Sequence, residues 1–226
     1  DSDDKLLPQK LERGVQKLQE ENLDMVYCRT KLLDMHGNKT GTVGASYNGR
    51  PVEIPEYTWH TTGPLYTRNM LSRLGPWLEY LTGCQDWEYC ARVKVEDFST
   101  GFDEKPGAAY RRHGSERVSR TQMEYDYTRS AEQAYDAIYT RATRRGRCTE
   151  AFAVRLARLY FYRVLEFRNN GYDADARRCI AKIRRRTSPS TPIWWITTLC
   201  HYFSSPFVTK LLQRMVDWRN LLVQAS

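Results

Sequence analysis

The spacing of apolar residues changes character near Tyr127, and no single repeating architecture accommodates both sides of that change. Ahead of it, short strand-like runs alternate with helix-spaced stripes. Leu11, Val15 and Leu18 keep helical spacing behind Pro8, which suits a first helical turn. Asp24 to Arg29 reads as a strand, His36-Gly37-Asn38 as a turn, and Thr42 to Tyr47 as a returning strand. Tyr66 to Leu74 reads as a helix stopped by Gly75-Pro76. Gly83 precedes a further helical stretch with Trp87, Cys90, Ala91 and Val95 on one face, and Ala108 to Arg111 reads as a short strand. Alternation of this kind predicts an α/β architecture. Behind Tyr127 the periodicity is helical throughout: Ala131–Arg144, Thr149–Phe167, Asp173–Arg186 and Pro206–Val223. Gly146, Asn169-Asn170-Gly171 and Ser188 to Pro192 separate them, and the pair around Asn169–Gly171 predicts an αα-hairpin. The boundary is expected between Ser119 and Ser130, dividing the chain into residues 1–125 and a basic α-helical region, 126–226.

Charge divides at the same place. Through Thr128 there are 17 Lys and Arg against 20 Asp and Glu; from Arg129 onward there are 18 against 7, so the overall +8 comes from the later part. Arg141, Arg144, Arg145 and Arg147 form one basic cluster. Arg177, Arg178, Lys182 and Arg184 to Arg186 form a second, followed by Ile193-Trp194-Trp195-Ile196. Bases beside tryptophans suit the boundary of an anionic membrane, and equally a helical subdomain whose aromatics pack inward and whose arginines are solvated. A mean hydropathy of −0.68 with no long uncharged apolar run argues against a membrane-spanning helix. The cysteines include no CxxC pair, which predicts free thiols of a reducing compartment, neither a disulfide frame nor a zinc site.

Four short motifs carry chemistry. Asp1-Ser2-Asp3-Asp4 stands directly before Leu6-Leu7-Pro8. Clustered carboxylates ahead of a helix suit a hard divalent cation whose shell is completed by substrate phosphates; they also suit a plain acidic helix cap. Thr61 to Arg68 contains Gly63-Pro64-Leu65-Tyr66 and leads to Leu74-Gly75-Pro76-Trp77. Thr82-Gly83-Cys84-Gln85-Asp86-Trp87-Glu88-Tyr89 follows, then Tyr110-Arg111-Arg112-His113. In that order, over roughly residues 1–120, the chain resembles the large inverting glycosyltransferase family with the GT-A fold, called family 2. That family places a DxD ahead of a Leu-Pro-x-x-Leu helix. A Gly-Pro-Leu-Tyr-x-Arg stretch, a Gly-x-Glu-Asp-x-Glu/Asp stretch and a Tyr-Arg-x-His segment then follow.

The resemblance implies a metal-dependent enzyme that moves a sugar from a nucleoside-diphosphate donor to an acceptor hydroxyl with inversion. It implies an incomplete GT-A (Rossmann-like) sheet here, because the family's nucleotide-binding half lies ahead of the DxD; a polypeptide without that half is expected to be unstable or weakly active. Asp86 then becomes the general base that deprotonates the acceptor, with Glu88 the fallback. Asp3 and His113 become ligands of Mg²⁺ or Mn²⁺, while Asp1, Asp4, Arg111 and Arg112 meet the nucleotide sugar. Trp77, Trp87 and Glu88 fall on the acceptor side. Glycan, lipid-linked and protein acceptors all remain open, in a cytoplasmic enzyme of polysaccharide biosynthesis with peripheral contact to the inner membrane face. Gln85 departs from the family, which has Glu there. The competing reading is a non-catalytic basic helical module for nucleic acid or an anionic surface. It leaves residues 1–120 unexplained and lacks any recognised nucleic-acid motif, so no nucleic acid is expected.

Overall fold

The computed structural model describes residues 4–44, 60–111 and 125–202. The elements among them are β1 (Lys5–Leu6), α1 (Lys10–Glu20), β2 (Met25–Leu33), β3 (Lys39–Val43), β4 (Leu65–Tyr66), α2 (Arg68–Leu74), α3 (Gln85–Val95) and β5 (Thr100–Arg111). Four helices follow: α4 (Tyr125–Arg144), α5 (Glu150–Asn169), α6 (Asp173–Arg186) and α7 (Pro192–Tyr202). The architecture is α/β: a five-stranded mixed sheet and seven helices among the described residues. The predicted helix Pro206–Val223 lies outside them.

The sheet runs β1-β5-β2-β3, with β4 also on β2. Strands β2 and β5 are parallel, from Met25 opposite Thr100 to Leu33 opposite Arg111. Every other pairing is antiparallel. β2 is the centre: β5 covers one edge, while β4 and β3 share the other, opposite Met25–Val26 and Thr30–Leu33 respectively. Its first four residues are buried, as both faces are covered. Both parallel strands are longer than the sequence reading gave. Lys31 and the Lys105-Pro106-Gly107 stretch interrupt the apolar pattern, and the ladder absorbs the interruption with register shifts around Arg29.

The face that α1 turns to the sheet differs from the expected one. Leu11 and Val15 are 54% and 45% exposed, whereas Lys10 and Gly14 are buried. Gly14 favours this, because a Cβ there would lie 2.8 Å from the end of the Leu65 side chain, so glycine lets the helix approach without displacing it. Arg13 Nε donates to Asp103 at 2.9 Å and Lys10 donates to the Thr62 carbonyl, fixing the same face.

Helix α3 lies between two cores. Tyr89, Cys90 and Val93 join Met25, Tyr27, Met70 and Leu74 on the sheet side. Ala91 and Val95 join Ala131, Ile138, Leu156 and Phe161 on the helical side. Every residue from Glu88 to Val95 is buried, including Glu88, Arg92 and Lys94.

Helices α5 and α6 form the hairpin expected around Asn169–Gly171. Gly171 adopts φ +80°, and the Tyr172 amide donates to the Phe167 carbonyl at 2.7 Å. Helix α7 was not foreseen. Ile193, Thr197 and Cys200 are buried along it, while Trp195 and Leu199 are 57% and 44% exposed. Much of the basic character is spent inside the molecule. Arg141 and Arg145 pair with Glu96, Arg147 with Asp97, Arg178 and Lys182 with Glu132, and Lys182 and Arg186 with Asp136. Arg184 lies 5.0 Å over the Trp194 ring. No helix among the described residues is long and apolar enough to cross a membrane. All six cysteines are free thiols.

Candidate active site

Asp86 stands in the first turn of α3, where the helix's partial positive charge favours a carboxylate. The turn before it is built by α4. The buried Ser130 hydroxyl accepts from the Gly83 amide at 3.0 Å and donates to the Gly83 carbonyl at 2.7 Å, so one side chain satisfies both buried backbone groups. A Cβ at Gly83 would collide with the Tyr127 ring, so this position takes glycine. Cys84, at φ +60°, caps the helix in a left-handed conformation, and its thiol donates to the Tyr127 hydroxyl at 3.4 Å. Gln85 Nε2 donates to the Leu81 carbonyl at 2.7 Å. An ionised glutamate has no proton to give there, so this hydrogen bond suits Gln at position 85. Asp86 itself is half-buried, and Oδ1 accepts from the Trp87 amide at 2.8 Å.

A second carboxylate reaches the same region from the sheet. Lys5 pairs with Ala109 and Leu6 with Ala108, a register that carries Asp4 towards Tyr110. The Tyr110 ring lies 4.3 Å from the imidazole of His60. His60 Nδ1 is 2.9 Å from the Thr62 hydroxyl, and the segment that carries it is tied down by Lys10 on Thr62 and by the Cys28 thiol on the Gly63 carbonyl at 3.3 Å. Burial lowers the pKa of His60, and the negative charges of Asp4 and Asp86 both act on the ring in the opposite direction. One imidazole therefore lies within electrostatic reach of both carboxylates. The cluster sits at the carboxyl ends of the parallel strands β2 and β5, the end at which open α/β sheets bind ligands. Sequence reasoning gave His60 no role because no partner is near it in the chain. Its place just ahead of Gly63-Pro64-Leu65 was the available signal.

The other named residues separate into groups. Glu88 is two positions from Asp86, about 200° around the helix, and faces away from it. It forms a buried ion pair with Arg92 at 2.8 Å. Burial raises the pKa of its carboxyl, while Arg92 pulls it down. Arg92 in turn donates to the carbonyls of Leu74 and Pro76 at 3.2 and 2.8 Å, so the pair anchors the loop that carries Trp77. Trp77 is 46% exposed and stacks on Tyr89 at 4.5 Å with the rings 13° apart. Trp87 is half-buried and packs edge-on against Tyr135 at 4.9 Å, as a wall of the helical core. Arg111 closes β5 opposite Leu33 and is half-buried. Asp1, Asp3, Arg112 and His113 lie outside the described residues.

Among the described residues no three His, Cys, Asp or Glu side chains converge as a metal-binding group. Asp4 is a hard oxygen donor, and a hard cation held beside substrate phosphates needs only one or two such carboxylates. The donor chemistry therefore fits a divalent cation. No protein-family model matches the chain, and no curated protein matches it.

Proposed function

We propose that this chain carries the catalytic cleft of a metal-dependent, inverting glycosyltransferase of the GT-A type, acting on a nucleoside-diphosphate sugar and a hydroxyl acceptor. The observation that supports it is the placement of Asp4 and Asp86, from opposite parts of the sequence, around His60 at the carboxyl ends of the parallel strands. Asp86 receives the proton of the acceptor hydroxyl as the oxygen attacks the anomeric carbon. The nucleoside diphosphate leaves from the opposite face, and the anomeric centre inverts. The rigid turn held by Ser130 sets the direction of the carboxylate, and the Trp77 loop, anchored by Arg92, offers an aromatic face for the acceptor. A divalent cation, when bound, neutralises charge on the departing diphosphate; Asp3 and His113 would hold it with Asp4 beside them. Arg111 and Arg112 supply positive charge to the same diphosphate.

The test is Asp86→Asn in the full protein, assayed for nucleoside diphosphate release against a panel of nucleotide sugars and acceptors. Loss of a general base lowers turnover by about 10²–10⁴-fold. The expected result is that loss with an unchanged melting temperature. Wild-type turnover in Asp86→Asn would overturn the assignment.

A further inference from the structure

On the face of α3 turned away from Asp86 runs a groove of about 750 Å³, bounded by α3, α4 and the loop that holds Leu78 and Tyr80. That volume lies within the roughly 300–1,000 Å³ of ordinary small-molecule sites. Its acids and bases stand at different depths. Glu88 and Glu96 keep only 3% and 8% of their side-chain exposure, and Glu88 is spent on the equally buried Arg92. Asp136 is held by Lys182 and Arg186. Towards the carboxyl end of α4, Arg141, Arg144 and Arg145 reach the groove from one helical face, three and four residues apart. Arg145 keeps 60% of its exposure and Arg144 is exposed; among the described residues no carboxylate pairs with Arg144. This end of the groove therefore presents cations to solvent, with its acids sunk beneath them.

The three guanidinium groups share one carboxylate. Arg141 donates to one oxygen of Glu96 at 2.9 Å and Arg145 pairs with the other, so two positive charges are left over. An anion that draws Arg145 away leaves Glu96 still paired with Arg141, and no buried charge is stranded. The surplus selects the kind of anion. A phosphate monoester carries about two negative charges near pH 7, and its oxygens accept the paired N–H groups of a guanidinium; a carboxylate carries only one charge. The groove is also longer than a phosphate needs. Tyr80 is 58% exposed at the lip, and Asp136 acts on its hydroxyl, which puts the ring at the level of that residue. From Asp136 to Arg144 is eight residues of α4, about 12 Å along the helix. With Leu78, the Tyr80 ring offers an apolar surface to a planar ring at that far end.

We propose that this groove binds a nucleoside phosphate, its phosphates on Arg144 and Arg145 and its base against Tyr80, at a site separate from the cleft around Asp86. The inference rests on the groove and stands whether or not Asp86 is a catalytic base. The full protein is titrated by calorimetry with ADP, UDP and inorganic pyrophosphate in EDTA, which withholds the divalent cation that the cleft would use. Arg144→Ala, Arg145→Ala and Tyr80→Ala are compared with two controls, Arg111→Ala on the sheet and Arg177→Ala, an exposed arginine of α6 outside the groove. The three groove residues are exposed, and unchanged thermal melting shows that the variants fold. The expected result is binding of both nucleotides, weakened about tenfold or more by Arg144→Ala and by Arg145→Ala and unchanged in the controls. Tyr80→Ala is expected to weaken ADP and UDP about fivefold or more while leaving pyrophosphate as it was. No nucleotide binding in EDTA, affinity that survives either arginine substitution, or nucleotide binding indifferent to Tyr80→Ala would overturn it. An equal loss in Arg177→Ala would overturn it as general charge attraction, and an equal loss in Arg111→Ala would move the ligand to the other cleft.

Discussion

Glu132 offers a quantitative test of how the helical region holds together. Its side chain is wholly buried in α4, yet it is ionised because α6 brings Arg178 and Lys182 to its two oxygens at 2.7 and 2.6 Å, with Arg129 from its own helix beside them. Burial works against the charge, but those hydrogen bonds outweigh it and hold the carboxyl down at about 2, against an ordinary 4.5. A carboxyl depressed in the folded state stabilises it above the ordinary value, and the stabilisation is lost as pH falls towards the folded one. A shift of this size corresponds to about 3 kcal/mol at pH 7. Breaking a buried ion pair costs about 3–5 kcal/mol. The lower end applies here, because Arg178 keeps about a third of its exposure and can rehydrate, and Lys182 retains Asp136. Glu132→Gln is therefore expected to lose about 3 kcal/mol at pH 7 in urea unfolding, and the gap to the wild type should shrink below about 1 kcal/mol at pH 2. A gap that does not change between pH 7 and pH 2, or one under about 1 kcal/mol at pH 7, would refute this reasoning.

Two further substitutions probe the turn before Asp86. Ser130→Ala removes the hydroxyl that serves both the amide and the carbonyl of Gly83, and is expected to cost about 2 kcal/mol in chemical denaturation. Unchanged stability would show that water replaces it. Gln85→Glu sets a carboxylate against the Leu81 carbonyl and is expected to cost about 1 kcal/mol at pH 7. That cost should disappear as pH falls below the ordinary carboxylate range, where the protonated acid can donate; a cost that persists there contradicts the hydrogen-bond account.

The helical part of the chain was largely legible in the sequence. Asp173–Arg186 forms a helix over the predicted span, and Asn169-Asn170-Gly171 makes the predicted turn, because turn chemistry and 3.6-residue periodicity act locally. The misreadings come from contacts distant in sequence. The buried face of α1 is chosen by Gly14 meeting Leu65 and by Lys10 meeting Thr62, 52 residues away, neither of which periodicity records. Helix α7 begins at the end of Ser188-Pro189-Ser190-Thr191-Pro192, which looks like a linker, and the sequence left its tryptophans open between a membrane boundary and a packed helical subdomain. Pro192 instead sits at the first helical position, and Ile193, Thr197 and Cys200 find a core. At the candidate site Asp86 was visible through its motif, and the turn that aims it was not. Ser130 lies 47 residues from Gly83, and His60 owes its importance to Asp4, Asp86 and Tyr110, each distant from it in the chain.

The central claim is that carboxylates from the amino end and from α3 face one cleft, and His60 reports on it from inside. Its titration can be followed by NMR in the wild type, Asp4→Asn and Asp86→Asn. Both carboxylates oppose the effect of burial on the ring, so removing either is expected to lower the His60 pKa further. A midpoint that stays at the wild-type value in either variant would place that carboxylate out of reach of the imidazole and contradict the account.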